Sequence, residues 1–216
     1  MTEPNPWLRV SATDYEGHMA HPAVGQLGFL ADLFEESLRT LRPRRIALLG
    51  CAAGNGLERV DPSGVADLLG VDINQDYLEL AEARHRVRLG QRLRLRCANL
   101  DDADVAAALL TPGSFDLVHA ALLFEYVTPA RLLPVLARAL APAGRLVALL
   151  QLPVEGHGAI SVTPFTGVNV LEPLLRLVSP EAFAAAAARA GLALEREETR
   201  TLPVGKSFRL SHWRRA

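Results

Sequence analysis

The chain is poor in several residue types, and each shortage excludes something. Lysine occurs once in 216 residues, at Lys206; the other basic residues are arginine, a pattern that coding bias explains as well as function does. Cysteine occurs twice, at Cys51 and Cys97, which excludes a disulfide scaffold and makes no metal-ligand pair by spacing. No apolar run approaches the roughly 20 residues that span a bilayer. The start, Met-Thr-Glu-Pro-Asn-Pro, lacks the basic-then-apolar order of a secretion signal, so a reduced, cytoplasmic protein with no membrane partner is expected. Excess charge is also missing: the net charge is −1, and nothing in the balance points to nucleic acid. Half of the residues are hydrophobic, enough for the core of one domain spanning 1–216. Monomer and homodimer fit the composition equally.

The rest of the chain is organised around Ile46-Ala-Leu-Leu-Gly-Cys-Ala-Ala-Gly-Asn-Gly56. A short apolar run breaks at Gly50, and Gly54 and Gly56 follow. This reads as a buried parallel strand entering a tight turn that lets a ligand approach the backbone. Asp72 ends the next apolar run, 22 positions after Gly50. A carboxylate there can accept hydrogen bonds from both ribose hydroxyls of an adenosine. NAD would use the same geometry, but G-x-G-x-x-G is broken in either register, by Ala52 and Asn55 or by Arg59.

The pattern G-x-A-x-G-x-G resembles the first motif of the class I S-adenosylmethionine (SAM)-dependent methyltransferases. Val71-Asp-Ile-Asn74 with the helix that follows resembles their second motif, and Phe115-Asp-Leu-Val118 a third. Asp14–Met19 followed by Val24-Gly-Gln-Leu27 resembles the start of a bacterial group of unassigned substrate. The resemblance implies an α/β three-layer sandwich with a seven-stranded, mostly parallel sheet and one antiparallel C-terminal strand. It implies SAM as cofactor, S-adenosylhomocysteine as product and a small-molecule acceptor. Gly50, Cys51, Ala52, Gly54 and Asn55 would form the cofactor turn, Asp72 and Ile73 would meet the ribose and adenine, Asn99 and Leu100 the adenine, and Ala120 the methionine part. Leu48 stands where the family has an acid that helps hold the cofactor's amino-acid end, and Asn99 where it has an Asp. Both departures keep open a SAM-binding partner or sensor without transferase activity. NAD-dependent oxidoreduction and RNA methylation are the further alternatives.

The N-terminal residues 1–41 read as a cover or lid. It carries Tyr15 as a substrate contact and His18 as a candidate base, with Glu125 as the second candidate. Tyr126 and the irregular stretch 153–178, with His157 and Phe165, are expected to wall the substrate pocket. His119 falls mid-strand and reads as a core histidine. The arginines at 92, 94 and 96 alternate with leucines, a strand pattern with no aromatic interleaved for base stacking. Expected helices are 24–41, a short one after the glycine turn, one from Asp76, 104–110, 129–140, 171–178 and one from Ser179. Expected strands are 46–49, 66–72, 92–96, 115–121, 144–151 and a closing hairpin of 192–201 and 207–213.

Overall fold

The computed structural model describes residues 5–156 and 158–216. Among these residues a seven-stranded sheet runs in the order β3-β2-β1-β4-β5-β7-β6. Its strands are β1 (Arg45–Leu49), β2 (Asp67–Asp72), β3 (Leu93–Cys97), β4 (Phe115–Ala121), β5 (Leu140–Gln151), β6 (Leu192–Thr201) and β7 (Ser207–Arg215). All neighbours pair in parallel except β7, which is antiparallel to both β5 and β6. The helices are α1 (Ala12–Ala20), α2 (Gln26–Leu41), α3 (Gln75–Leu89), α4 (Ala103–Leu109), α5 (Pro129–Ala139) and α6 (Pro180–Arg189).

Strand alternation divides the core between the two faces of the sheet. Ala47, Leu49, Val118 and Ala120 pack with α4, α5 and α6. Ile46, Leu48 and Leu117 face Leu33 and Phe34 of α2 and Leu78 and Leu89 of α3. Fully burying one such side chain contributes roughly 1.5–3 kcal/mol. A third, small cluster of Val10, Val168 and Leu171, backed by Trp7, Tyr15, Tyr126 and Ile160, joins the N-terminal segment to the stretch after β5.

Three expectations are corrected. After the glycine turn only a single 3-10 turn forms, Leu57–Arg59, because Asp61-Pro62 follows at once. The helix expected over 171–178 is a 3-10 turn at Thr166–Leu171, since Pro173 cannot continue a helix through its middle. Strand β5 begins at Leu140, before the turn that was expected to precede it, and its pairing with β4 shifts between Phe115 and Leu117. Gly144 permits this: a Cβ there would lie 2.5 Å from the Phe115 carbonyl oxygen.

Candidate active site

The glycine turn is held from the neighbouring strand. The amides of Gly50 and Cys51 both donate to the Val71 carbonyl. Asp72, at the end of β2, accepts from the Ala52 amide at 2.8 Å through Oδ2 and from the Asn74 amide at 2.9 Å through Oδ1. Burial pushes its carboxyl pKa up, and these backbone donors draw it back. Ala52 takes a left-handed conformation, φ 45°, which L residues adopt at a cost.

A cleft of about 660 Å³ opens over this turn. Gly50, Ala52, Asp72, Ile73, Asn99 and Leu100 line one side. Asn5, Trp7, Tyr15 and Tyr126 line it from the N-terminal segment and the loop after β4. Their rings form a continuous edge: Trp7 meets Tyr126 at 4.9 Å and Tyr15 at 5.8 Å, and Tyr15 meets Tyr77 at 5.7 Å. Tyr77 also borders the cleft, and its buried hydroxyl has no partner. The Asn99 Oδ1 accepts from the Asp101 amide at 3.0 Å and keeps a second lone pair. Asp101 is engaged elsewhere, by the Thr128 amide and Arg131.

The N-terminal segment is fixed over the cleft by specific contacts. Asn74 Nδ2 donates to the Trp7 carbonyl at 3.0 Å. Arg84 of α3 pairs with Glu16 of α1. Gly17 of α1 lies against the Phe165 ring, and Gly167 against the Asp14 carboxylate; a Cβ at either glycine would overlap its neighbour.

A second cavity of about 480 Å³ shares Trp7, Tyr15, Leu122 and Tyr126 with the first. Its polar side chains are His18, Gln26, Glu125, Gln151 and Lys206. Glu125 is buried; Oε1 accepts from the Gln151 amide at 2.7 Å and Oε2 has no partner. Burial raises its pKa to about 7. His18 Nδ1 lies 3.0 Å from Thr163 Oγ1, and burial with the nearby Lys206 charge lowers its pKa. Lys206 Nζ and Gln151 Nε2 both donate to the Ala159 carbonyl, at 2.7 and 2.9 Å.

A third cavity of about 420 Å³ lies along the glycine turn, lined by Leu48, Gly50, Cys51, Ala52, Asn55 and His119, with Tyr15 at its edge. Asn55 also donates to the Leu27 carbonyl and so ties the turn to α2. Among the described residues no group of three or more His, Cys, Asp or Glu side chains is arranged to hold a metal, and no helix is long and apolar enough to cross a membrane.

The structure thus gathers most of the residues singled out in the sequence, with four differences. Ala120 is fully buried toward α4–α6, and Ala121, on the other face, lines the first and third cavities. Gly54 borders none of the three cavities; its φ of 89° and the His85 ring, 2.8 Å from where a Cβ would be, give it a turn-and-packing role. Phe165 seats α1 rather than lining a cavity. His157 lies outside the described residues. The structure adds Trp7, Tyr77, Gln151 and Lys206 to the walls of these cavities. Lys206 alone gave a signal, as the single lysine.

No curated protein sequence matches the chain significantly. Several solved structures share the fold. An S-adenosylmethionine-dependent methyltransferase from Mesorhizobium loti is 22% identical, over 88% of this chain and 100% of that one, with a TM-score of 0.64. Geranyl diphosphate C-methyltransferase from Streptomyces coelicolor A3(2), in complex with S-adenosyl-L-homocysteine, is 14% identical over 93% and 88%, with a TM-score of 0.66. The cyclase SpnF is 18% identical over 87% and 80%, with a TM-score of 0.65. Its presence in this group is a reminder that a scaffold does not choose a chemistry. The family profile described as methyltransferase domain matches residues 47–148, from β1 into β5. The methyltransferase-domain match, the glycine turn and the strand order together support a class I SAM-dependent methyltransferase.

Proposed function

We propose that the protein transfers the methyl group of SAM to a small-molecule acceptor, with the cofactor in the first cleft and the acceptor in the second cavity. One observation carries this reading. Two cavities meet at a shared wall of Trp7, Tyr15, Leu122 and Tyr126; one is bordered by Asp72 and Asn99, the other by Glu125 and His18.

The residues of the cleft fit the cofactor. Each Asp72 oxygen bonds one backbone amide and keeps a lone pair for a ribose hydroxyl. Ile73 and Leu100 offer apolar surface to the adenine, and the Asn99 amide group can bond its edge. The unpartnered Tyr77 hydroxyl gains a partner from a polar ligand. The third cavity, along the turn, takes the amino-acid end; its wall carries Leu48 in place of a carboxylate. When bound, SAM supplies a methyl group already activated for direct displacement, so positioning is the protein's main task. Trp7, Tyr15 and Tyr126 exclude water from the junction. Glu125 Oε2 takes the acceptor's proton if the acceptor is a hydroxyl or amine, and His18 is the second candidate.

A calorimetric titration with SAM, with NAD and the Asp72→Ala variant alongside, tests this. Saturable SAM binding that the variant loses is the expected result; a folded protein that binds no SAM would overturn the reading. A second reading rests on Leu48 and Asn99: a SAM-binding protein that signals to a partner. Methyl transfer to any acceptor eliminates it.

A further inference from the structure

Lys206 is the basic, buried side chain of the second cavity to which methyl transfer assigns no role. It is 4% exposed and borders the cavity from the first turn of the closing hairpin, beside the start of β7. Its ammonium has three donors, and among the described residues one is used, by the Ala159 carbonyl. Among the described residues no carboxylate lies within 4.0 Å of it. Every ion pair found there uses arginine instead, and those arginines are at least partly exposed. A buried cation without an anion is costly: burial lowers the Lys206 pKa, and an anionic ligand beside the ammonium would offset that cost.

Its surroundings say what kind of molecule that is. His18 and Gln26, both buried, border the same space, and Gln151 shares the Ala159 carbonyl with Lys206. His18 and Gln26 can add hydrogen-bond donors to the cavity. The remaining walls are aromatic or aliphatic: Trp7, Tyr15, Tyr126, Met19, Leu122 and Ile160. Glu125 borders the cavity too, but lies outside ion-pair distance of Lys206 and leaves Oε2 without a donor. A ligand that satisfies all three features has an anionic end, an apolar body and a separate hydroxyl or amine.

We propose that the second cavity binds a carboxylate-bearing small molecule with an apolar body, its anion paired with Lys206 and its hydroxyl or amine directed to Glu125. Calling that molecule the methyl acceptor rests on the function proposed above; the anion site itself does not.

The test uses the full chain saturated with S-adenosylhomocysteine and two probes, 4-hydroxybenzoate and its uncharged amide. Binding is followed by fluorescence of Trp7, which borders the cavity, while Trp213 is buried in the core. Wild-type protein should bind the acid at least about tenfold more tightly than the amide, the scale of a charge-assisted hydrogen bond. Lys206→Gln, which can still donate to Ala159, should reduce the difference to within about twofold, and Lys206→Arg should keep the preference. S-adenosylhomocysteine affinity should be the same in all three proteins, which also reports that the variants fold. Equal affinities for acid and amide, a preference that survives in Lys206→Gln, or no uptake of either probe by the loaded wild-type protein would overturn the proposal. Failure of S-adenosylhomocysteine to bind, with the acid preference intact, would instead sink methyl transfer and leave the anion site standing.

Discussion

Leu48 and His119 stand directly opposite each other across the β1–β4 ladder. Paired residues share a face, so both side chains point toward α2, where the His119 ring meets Phe34 at 5.1 Å with the planes tilted by 60°. His119 is buried, its Nδ1 has no partner, and burial holds its pKa near 3. The folded state therefore resists a proton that the unfolded chain takes up at its ordinary value of 6.5. His119 should cost the protein stability as pH falls from about 6.5 toward 3. Urea unfolding of His119→Leu against pH should show a flatter acid limb. Near neutrality the variant should be unchanged or more stable, since an unsatisfied buried polar atom costs roughly 1–3 kcal/mol. An unaltered acid slope would mean that His119 gains a partner in solution.

Glu125 has the opposite sign. Its pKa rises on folding from 4.5 to about 7, so the folded state holds the proton more tightly. Its stabilising contribution is complete below about 4.5 and is lost as pH rises through 7. Glu125→Gln should remove that loss. If Glu125 takes the acceptor's proton, wild-type turnover should climb through about pH 7. The variant should lose about 10²- to 10⁴-fold in rate with its SAM affinity intact. His18→Ala, tested beside it, should cost less.

The seat of α1 can be disturbed on its own. Gly17→Ala places a methyl group into the Phe165 ring. It should weaken SAM binding several-fold by lifting the segment that carries Trp7 and Tyr15, while the unfolding midpoint of the sheet domain moves little. Adding Phe165→Ala should restore part of the affinity, because the two residues are in contact and their effects do not add. Purely additive losses would show that the Gly17–Phe165 contact does not hold the segment down.

Ala52 occupies a glycine position in the family motif and keeps the left-handed backbone, φ 45°. Ala52→Gly should relieve a strain of roughly 1–2 kcal/mol, partly offset by the greater freedom of glycine when unfolded. The melting temperature should rise slightly, with the Asp72 hydrogen bond to residue 52 retained. A fall in melting temperature would mean that the Ala52 methyl, which is buried, contributes more by packing.

Most of the sheet could be read from the chain because its signals are local. The run Phe115–Ala121 and the hairpin partners Leu192–Thr201 and Ser207–Arg215 each carry their period in their own residues. The lining of the first cleft was legible for a related reason. Gly50, Ala52, Asp72, Ile73, Asn99 and Leu100 sit at strand ends, and strand ends in a parallel sheet converge on one edge. What escaped depends on packing between distant segments. Trp7 meets Asn74 67 positions away, and Lys206 meets Ala159 47 positions away. No spacing rule connects such residues. Ala120 against Ala121 is a smaller matter of phase: one residue along a strand exchanges the core face for the cavity face.

Tyr15 borders all three cavities. On the proposed function, a cofactor in one and an acceptor in another would rest against the same ring, so their free energies of binding are expected to be linked. Whatever factor cofactor binding applies to the acceptor's dissociation constant, acceptor binding must apply to the cofactor's. On that reading, the shared phenol ring is expected to couple cofactor and acceptor in the binding equilibrium itself, measurable before any methyl group moves.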